Sequence, residues 1–201
     1  LAGRTWEVLR IDHHQRSLFV KKVSGRSKSS WIGGGGNIHP RVLSRMRQAL
    51  LEDDKYRYLQ TGAWERLGHV RQLAKEVGFA NQSIIPLGDD TFCIFPWTGT
   101  ITFSTLVRYL KYGIAERLQI SAVSAFSPYC IKLACADGAD KLQKELLSLP
   151  LQRIKASDLL ADNEAPEVSK FDRFIPESLR REAFMTDHLD INALEETKLY
   201  I

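Results

Sequence analysis

Residues 29–40 read Ser29-Ser30-Trp31-Ile32-Gly33-Gly34-Gly35-Gly36-Asn37-Ile38-His39-Pro40 and separate two kinds of sequence. Four consecutive glycines tolerate backbone angles that other residues avoid, and they let a second backbone or a phosphate approach closely. Pro40 suits the first turn of a helix, where its missing N–H costs nothing. We therefore predict a glycine turn that leads into an amphipathic helix from Pro40 to about Leu51.

The segment before the glycines alternates apolar and polar residues, a pattern typical of strands. Residues 5–12 and 16–23 are predicted to pair as a hairpin about His13-His14-Gln15, with 29–32 as a third short strand. These strands predict an antiparallel meander that forms part of a barrel-like or strongly bent sheet.

The remainder of the chain is predicted to be helical or mixed. A second helix near 60–77 ends at Gly78, and 81–90 is predicted as a loop. Residues 91–149 predict a strand, a helix capped by Thr98 or Thr100, a hairpin about Ser127-Pro128 and a further helix. Six apolar residues of the last segment predict a helical tail that docks on the body: Phe171, Phe174, Ile175, Leu179, Phe184 and Leu189.

The predicted fold class is therefore α+β, with packed helices on an antiparallel sheet. Four segments follow one another, in one or two compact domains. They are the basic β-meander and glycine turn leading into a helix (1–52), a helical connector (53–90), a β-α-β-β-α unit (91–150) and an acidic helical tail (151–201). Residues 162–166 are the best candidate for a linker.

Charge is unevenly distributed along the 201 residues, whose net charge is +4. Residues 1–50 contain ten Lys and Arg and two acidic residues, whereas 161–201 contain five basic and ten acidic residues. Such a basic front suits a polyanion. The alternative is a solvated basic surface that the acidic tail of the same chain balances.

The common catalytic and metal-binding motifs are absent from the sequence. It contains no G-x-x-x-x-G-K-[ST], G-x-S-x-G, H-E-x-x-H or C-x-x-C. Three cysteines are an odd number, which argues against a disulfide framework and favours a reducing compartment. With no apolar run of about 18 residues and no signal segment, we expect a cytoplasmic protein without membrane contact. We predict no catalytic residue, no metal site and no cofactor within these residues.

With those motifs absent, the remaining candidate for a functional site is a cationic binding surface. Cations neutralise phosphates and release counterions, an exposed aromatic stacks on bases, and a helix N-terminus offers N–H donors to an anion. The candidate nucleic-acid-binding residues are Lys21, Lys22, Arg26, Lys28, Trp31, Arg41, Arg45 and Arg47. The candidate glycine turn comprises Gly33, Gly34, Gly35, Gly36 and His39, where His39 is expected at the helix entry. Trp31 also fits a buried position at the end of an apolar strand.

Four stretches, in order, carry a family resemblance: Gly3 to Asp12, Trp31 to Leu50, Ile94 to Gly99 and Phe171 to Glu177. Together they resemble the accessory region C-terminal to the motor in Lhr-type (large helicase-related) DEAD/DEAH-box helicases of superfamily 2. The resemblance implies a parent enzyme that couples ATP hydrolysis to movement along nucleic acid and to duplex unwinding, in DNA repair or related metabolism. ATP and magnesium would then bind the upstream motor domains.

On this resemblance, the chain is expected to bind single- or double-stranded nucleic acid, to guide the strand and to brace the motor. A hypothesis of another class is a protein-interaction domain that docks on its own ATPase core or on a partner and does not touch nucleic acid. A small stand-alone enzyme is a third interpretation, which no catalytic constellation in the sequence favours.

Overall fold

The computed structural model describes residues 5–25, 36–149 and 153–197. The chain divides into two compact units, Leu1–Gly36 and Asn37–Ile201. The division falls at the end of the glycine run, and the predicted boundaries after 52, 90 and 150 all lie inside the second unit. We describe each unit by itself.

The first unit contains an antiparallel hairpin of β1 (Trp6–Asp12) and β2 (Ser17–Lys22). Asp12 stabilises the turn, since its Oδ1 accepts a hydrogen bond from the amide of Gln15 at 2.9 Å. The predicted hairpin is confirmed, whereas the predicted third strand at 29–32 lies outside the described residues. The strands that the structure describes form two separate antiparallel sheets and no closed barrel.

Alternation gives this hairpin two different faces. Its cross-strand register, with one bulge between Val8 and Arg10, places five apolar residues of the two strands on one side. This face comprises Trp6, Val8, Ile11, Leu18 and Val20, all of them exposed within the described residues. On the other side, the guanidinium of Arg10 lies 4.3 Å from the ring centre of Phe19 and covers it.

The second unit begins with two helices, α1 (Pro40–Leu51) and α2 (Thr61–Glu76). Both agree with the predicted ranges, because each has apolar residues at helical spacing and a clear boundary residue. Leu43 is fully buried on α1, and Ala74 is buried on α2. The structure thus confirms the glycine-then-helix prediction from Gly36 onward.

A four-stranded antiparallel sheet follows, in the order β3-β4-β6-β5. Its strands are β3 (Ile84–Gly88), β4 (Thr91–Ile94), β5 (Ile120–Phe126) and β6 (Cys130–Cys135). The predicted hairpin about Ser127-Pro128 is confirmed as β5 and β6. The predicted loop over 81–90 is wrong, because Ile84 and Ile85 are buried and pair with β4. Pro86 argues against a strand in sequence, but β3 is an edge strand, where a proline is tolerated.

Two helices share a hydrophobic core with this sheet, α3 (Thr100–Arg108) and α4 (Gly138–Leu147). A π-helical turn (Tyr109–Gly113) extends α3. The residue that caps α3 is Gly99, and neither Thr98 nor Thr100 makes the predicted cap. The hydroxyl of Thr100 accepts a hydrogen bond from the amide of Ile38 instead.

One hydrophobic core joins the sheet, α3, α4 and the tail. Its fully buried side chains include Ile94, Phe103, Leu106, Leu110, Ile131, Leu133, Leu142, Leu146 and Leu159. Burying a side chain of this size stabilises the fold by about 1.5–3 kcal/mol. The core therefore fixes the β4–α3 connection, and this connection positions the start of α1.

The link between α1 and the core is a close approach at Gly99. The amide of Thr100 donates to the carbonyl of Ile38 at 3.1 Å, and the amide of Ile38 donates to the Thr100 hydroxyl at 2.8 Å. A Cβ on Gly99 would lie 2.7 Å from Cδ of Pro40 and 3.0 Å from the Ile38 oxygen. Only glycine fits here, because both neighbours belong to the entry of α1.

The tail contains short 3-10 turns (Ala156–Leu159 and Asp172–Phe174), α5 (Glu177–Asp187) and α6 (Ile191–Glu195). Leu189 is buried and Phe184 packs against the core, as predicted. The docking prediction is wrong for the other four apolar residues. They lie at the surface, with exposed fractions from 42% to 73%: Phe171, Phe174, Ile175 and Leu179.

Residues 162–166 do not separate two units, as a linker would. The guanidinium of Arg108 forms a two-pronged ion pair with Glu164, at 2.6 and 2.9 Å, and also donates to the carbonyl of Leu159 at 3.0 Å. Arg181 donates to the carbonyls of Ala161 and Glu164. These contacts join the segment to α3 and α5. Its polar groups therefore form part of the folded unit and do not mark a linker.

Replacing Gly99 with alanine (G99A) tests the close approach at the start of α1. The new methyl group must displace backbone, so we expect the free energy of unfolding to fall by about 1–3 kcal/mol. Urea denaturation measures the change. The matched control is G68A, at an exposed glycine of α2 whose Cβ would meet no atom within 4 Å. That variant should be as stable as the parent or more stable, by up to about 1 kcal/mol. Equal effects of both substitutions would contradict the packing role of Gly99.

Replacing Glu164 with glutamine tests the ion pair with Arg108. Hydrogen bonds from Arg108 hold the pKa of Glu164 below its ordinary value. The stabilisation is therefore complete at neutral pH and is lost as the pH falls through this lowered pKa. We expect E164Q to cost about 1–2 kcal/mol at neutral pH and to lose less stability than the parent on acidification. Thermal unfolding across the acidic range measures this difference, with E65Q on the exposed side of α2 as control. Parallel pH profiles for E164Q and the parent would contradict it.

Candidate nucleic-acid interface

The predicted cations of the first unit do not share a face. Lys21 and Lys22 are consecutive residues of β2, so their side chains point to opposite sides of the hairpin. Lys21 lies directly across from Glu7, whereas Lys22 lies across from Trp6. A ligand on one side of this hairpin therefore meets only one of the two lysines.

Six of the predicted site residues lie outside the part of the chain that the structure describes: Arg26, Lys28, Trp31, Gly33, Gly34 and Gly35. Gly36 is exposed, and a Cβ there would meet nothing within 4 Å. His39 is the N-cap of α1, and its Nδ1 accepts a hydrogen bond from the amide of Arg41 at 3.1 Å. The predicted helix-entry role of His39 is confirmed.

The three arginines of α1 lie in two different environments. Arg41 and Arg45 are four residues apart, so they share one exposed face of the helix. Arg47 points elsewhere and donates to the carbonyls of Ala80 at 2.7 Å and Phe79 at 3.3 Å. These carbonyls follow the end of α2, so Arg47 fastens the two helices together. Of the three, only Arg41 and Arg45 are placed to meet a ligand.

A hydrogen-bonded network orders the exposed face of α1. Nη2 of Arg45 donates to Oε1 of Glu52 at 2.9 Å and to the Tyr56 hydroxyl at 3.1 Å, and that hydroxyl donates to Glu52. The hydrogen bonds from Tyr56 and then Arg45 lower the pKa of Glu52. Those to Glu52 and then Tyr56 raise the pKa of Arg45. The carboxylate and the guanidinium therefore stay charged together over the physiological range.

Two tyrosines complete this face. The rings of Tyr56 and Tyr58 are stacked, with centres 5.6 Å apart and planes 15° apart. Tyr58 is 80% exposed, the largest exposed fraction among the large hydrophobic side chains that the structure describes. Sequence reasoning missed both residues. The alternation Lys55-Tyr56-Arg57-Tyr58 was the available signal, since interleaved cations and aromatics are typical of nucleic-acid-binding surfaces.

Buried Arg71 supports the segment that carries the tyrosines. Its exposed fraction is 5%, and it donates to the carbonyl of Ala49 at 2.8 Å and to that of Asp54 at 3.0 Å. Its guanidinium carbon lies 5.5 Å from the ring centres of both Tyr56 and Trp64. Arg71 thus connects α2 to the end of α1 and to the following turn, which carries the two tyrosines.

A cleft of about 780 Å³ lies along a different face of α1, between that helix, the loop after β4 and the C-terminal end of α6. Its charged lining comprises Arg47, Glu52 and Glu196. Arg47 already binds two carbonyls, Glu52 is paired with Arg45, and Glu196 would repel a phosphate. The cleft therefore suits a polyanion less well than the face that carries Arg41.

Two of the cysteines, Cys93 and Cys135, are poor nucleophiles. Burial, together with the neighbouring Cys130, raises the pKa of the Cys93 thiol to about 11. Burial also raises the pKa of Cys135. Both thiols are therefore protonated at neutral pH, and a thiol is a weak nucleophile in that form.

Among the residues that the structure describes, no three or more His, Cys, Asp and Glu side chains form a group that could hold a metal ion. Within the same ranges, no helix has both the length and the apolar character needed to cross a bilayer.

Comparisons of the chain with protein-family models, with curated proteins and with solved structures gave no match.

The two kinds of arginine on α1 should respond differently to truncation. Replacing Arg47 with alanine leaves two carbonyls without their donor, so we expect R47A to lower the free energy of unfolding by about 1–3 kcal/mol. Replacing the exposed Arg41 in the same way should change it by less than about 0.5 kcal/mol. Urea denaturation of both variants tests this contrast, and a larger loss in R41A than in R47A would refute it.

Proposed function

We propose that this chain is a nucleic-acid-binding accessory domain of an ATP-dependent helicase, where it guides a strand and braces the motor. The observation that carries this proposal is the exposed face of α1, on which Arg41 and Arg45 lie beside two stacked tyrosines. Cations and aromatic rings on one surface suit a polymer of phosphates and bases. The helicase context comes from the resemblance of four ordered stretches to Lhr-type enzymes.

Two of those stretches are in contact with each other, which supports the proposal. Ile38, from the stretch around the glycines, is hydrogen-bonded to Thr100, immediately after the Ile94 to Gly99 stretch. Gly99 itself packs against Pro40. Ile38 and Thr100 are 62 residues apart in sequence, and their contact helps to set the position of the α1 cations.

Arg41 is the clearest test residue for phosphate contact. Its side chain is exposed and forms no ion pair with any residue that the structure describes. Arg45, by contrast, also holds Glu52 and Tyr56, so replacing it would disturb the surface as well as remove a charge. Lys22 provides an independent test in the first unit.

The experiment is a salt series with labelled single-stranded and duplex DNA. We expect the logarithm of affinity to fall linearly with the logarithm of salt concentration, because bound cations release counterions. R41E and K22E should each weaken binding severalfold and reduce the slope by about 1 for each lost phosphate contact. K144E is the matched control, since it makes the same charge change at an exposed lysine of α4. Binding that ignores salt, or equal losses in R41E, K22E and K144E, would refute the proposed interface.

The helicase part of the proposal has its own test. The full reading frame is expected to encode a G-x-x-x-x-G-K-[ST] phosphate-binding loop upstream of these residues, since this chain contains none. A reading frame without an ATPase motor would refute the helicase context and leave nucleic-acid binding to stand or fall on the salt series.

Docking on the motor is a second candidate function, and the tail favours it. Five apolar side chains there are at least two-fifths exposed: Val168, Phe171, Phe174, Ile175 and Leu179. Such surfaces commonly mark protein interaction sites. Co-purification with the ATPase core, together with no affinity for DNA, would favour docking over strand guidance.

A further inference from the structure

The surface beside Arg41 has a defined shape. It is a shallow depression of about 400 Å³ formed by the first three turns of α1 and the segment that follows the helix. Its lining combines two guanidinium groups, two phenol rings and a patch of apolar side chains, of which Val42 and Met46 are 51% and 41% exposed. A flat, partly apolar floor next to positive charge is suited to a planar group attached to a phosphate.

Tyr58 gives this depression an accessible aromatic ring. One side of the ring is stacked on Tyr56, yet four-fifths of the side-chain surface remains exposed. Exposing a large aromatic side chain costs free energy, since water must surround its apolar faces. A planar ligand stacked on Tyr58 would remove that surface from water and continue the existing stack.

Tyr56 holds the stack in place before any ligand arrives. Its hydroxyl is bonded to Glu52 and Arg45, and its ring lies near the guanidinium groups of Arg45 and Arg71, with carbon-to-centre distances of 5.6 and 5.5 Å. A preorganised surface loses little conformational entropy on binding. The structure therefore holds the ring of Tyr56 by several contacts, and Tyr58 lies stacked against that ring.

Unpaired bases are the planar groups that this platform fits. In a duplex, both faces of each internal base are already stacked, so a protein ring reaches them only after a base has left the stack. In a single strand the faces are accessible, and stacking on an aromatic side chain contributes about 1–3 kcal/mol per base whatever the sequence. Arg41 lies on the same surface and is charged, which suits the phosphate next to a stacked base.

We propose that Tyr58, stacked on Tyr56 and flanked by Arg41, binds an unpaired base of a single-stranded nucleic acid. This inference rests on the proposed nucleic-acid-binding function and adds to it a ligand form and a contact residue. It assigns Tyr58 to stacking, Tyr56 to support of the stack and Arg41 to the adjacent phosphate.

The test compares Tyr58→Ala and Tyr58→Phe with the parent chain in binding to a labelled oligothymidine strand and to a duplex. Y58A should weaken single-strand binding by about tenfold, the loss expected for one stacked base, and should change duplex binding by less than about twofold. Y58F retains the ring and should bind like the parent. Y129A removes another exposed tyrosine, in the turn between β5 and β6, and should also bind like the parent.

A second readout reports stacking directly. A strand that carries 2-aminopurine loses fluorescence when the base stacks, so the parent and Y58F should quench it and Y58A should not. Thermal unfolding is the control for folding. Y58A should unfold at the same temperature as the parent, because Tyr58 is 80% exposed.

The outcomes separate this inference from the proposed function. If the parent binds DNA with the expected salt dependence while Y58A binds the single strand as tightly as the parent, the stacking site is refuted and the function stands. Equal losses of single-strand and duplex affinity in Y58A would also refute it. If the parent binds neither form of DNA, both proposals fail.

Discussion

Thr100 binds both main-chain polar atoms of Ile38, and this pairing sets where α1 begins. The amide of Ile38 donates to the Thr100 hydroxyl, its carbonyl accepts from the Thr100 amide, and Gly99 leaves no room for a side chain against Pro40. Thr100 starts α3, which is buried in the main core. This connection therefore sets where α1 begins relative to the core. Arg47 and Arg71 hold the same helix against α2 and its flanking turns, and these contacts together place the face of Arg41 and Arg45.

The arginines of this chain have different structural roles in the fold, although the sequence alone does not distinguish them. Arg47 binds the backbone after α2, Arg71 supports the turn after α1, and Arg108 binds Glu164 in the tail. Arg41 is left exposed to solvent. What distinguishes them is the acceptor within reach: a main-chain carbonyl or a carboxylate accepts from each of the first three arginines, and hydrogen bonds from a charged donor are stronger than neutral ones. Excess positive charge in a segment consequently says little about which of its cations remain available to a ligand.

Local pattern was enough to predict α1, α2 and both hairpins, because apolar spacing and turn residues agree in each. It failed at β3, where Pro86 masks an edge strand that only its partner β4 reveals. It also failed for Phe171 and Phe174, since apolar character alone does not show whether a neighbour exists to cover a side chain. The Tyr56–Tyr58 stack was beyond prediction for a related reason. Its geometry depends on Glu52 and on Arg71, and the latter reaches the stack from another helix.

Arg71 also restricts how this chain can vary. Its planar guanidinium donates to two carbonyls, those of Ala49 and Asp54, in fixed directions while lying near two aromatic rings. A lysine carries the same charge but lacks the rigid fork, so it cannot reproduce both bonds from one position. The constraint at residue 71 therefore acts through main-chain atoms, which side-chain replacements at 49 or 54 leave in place. Arg71 sets the path of the turn after α1 from α2, and that path is what presents Tyr58.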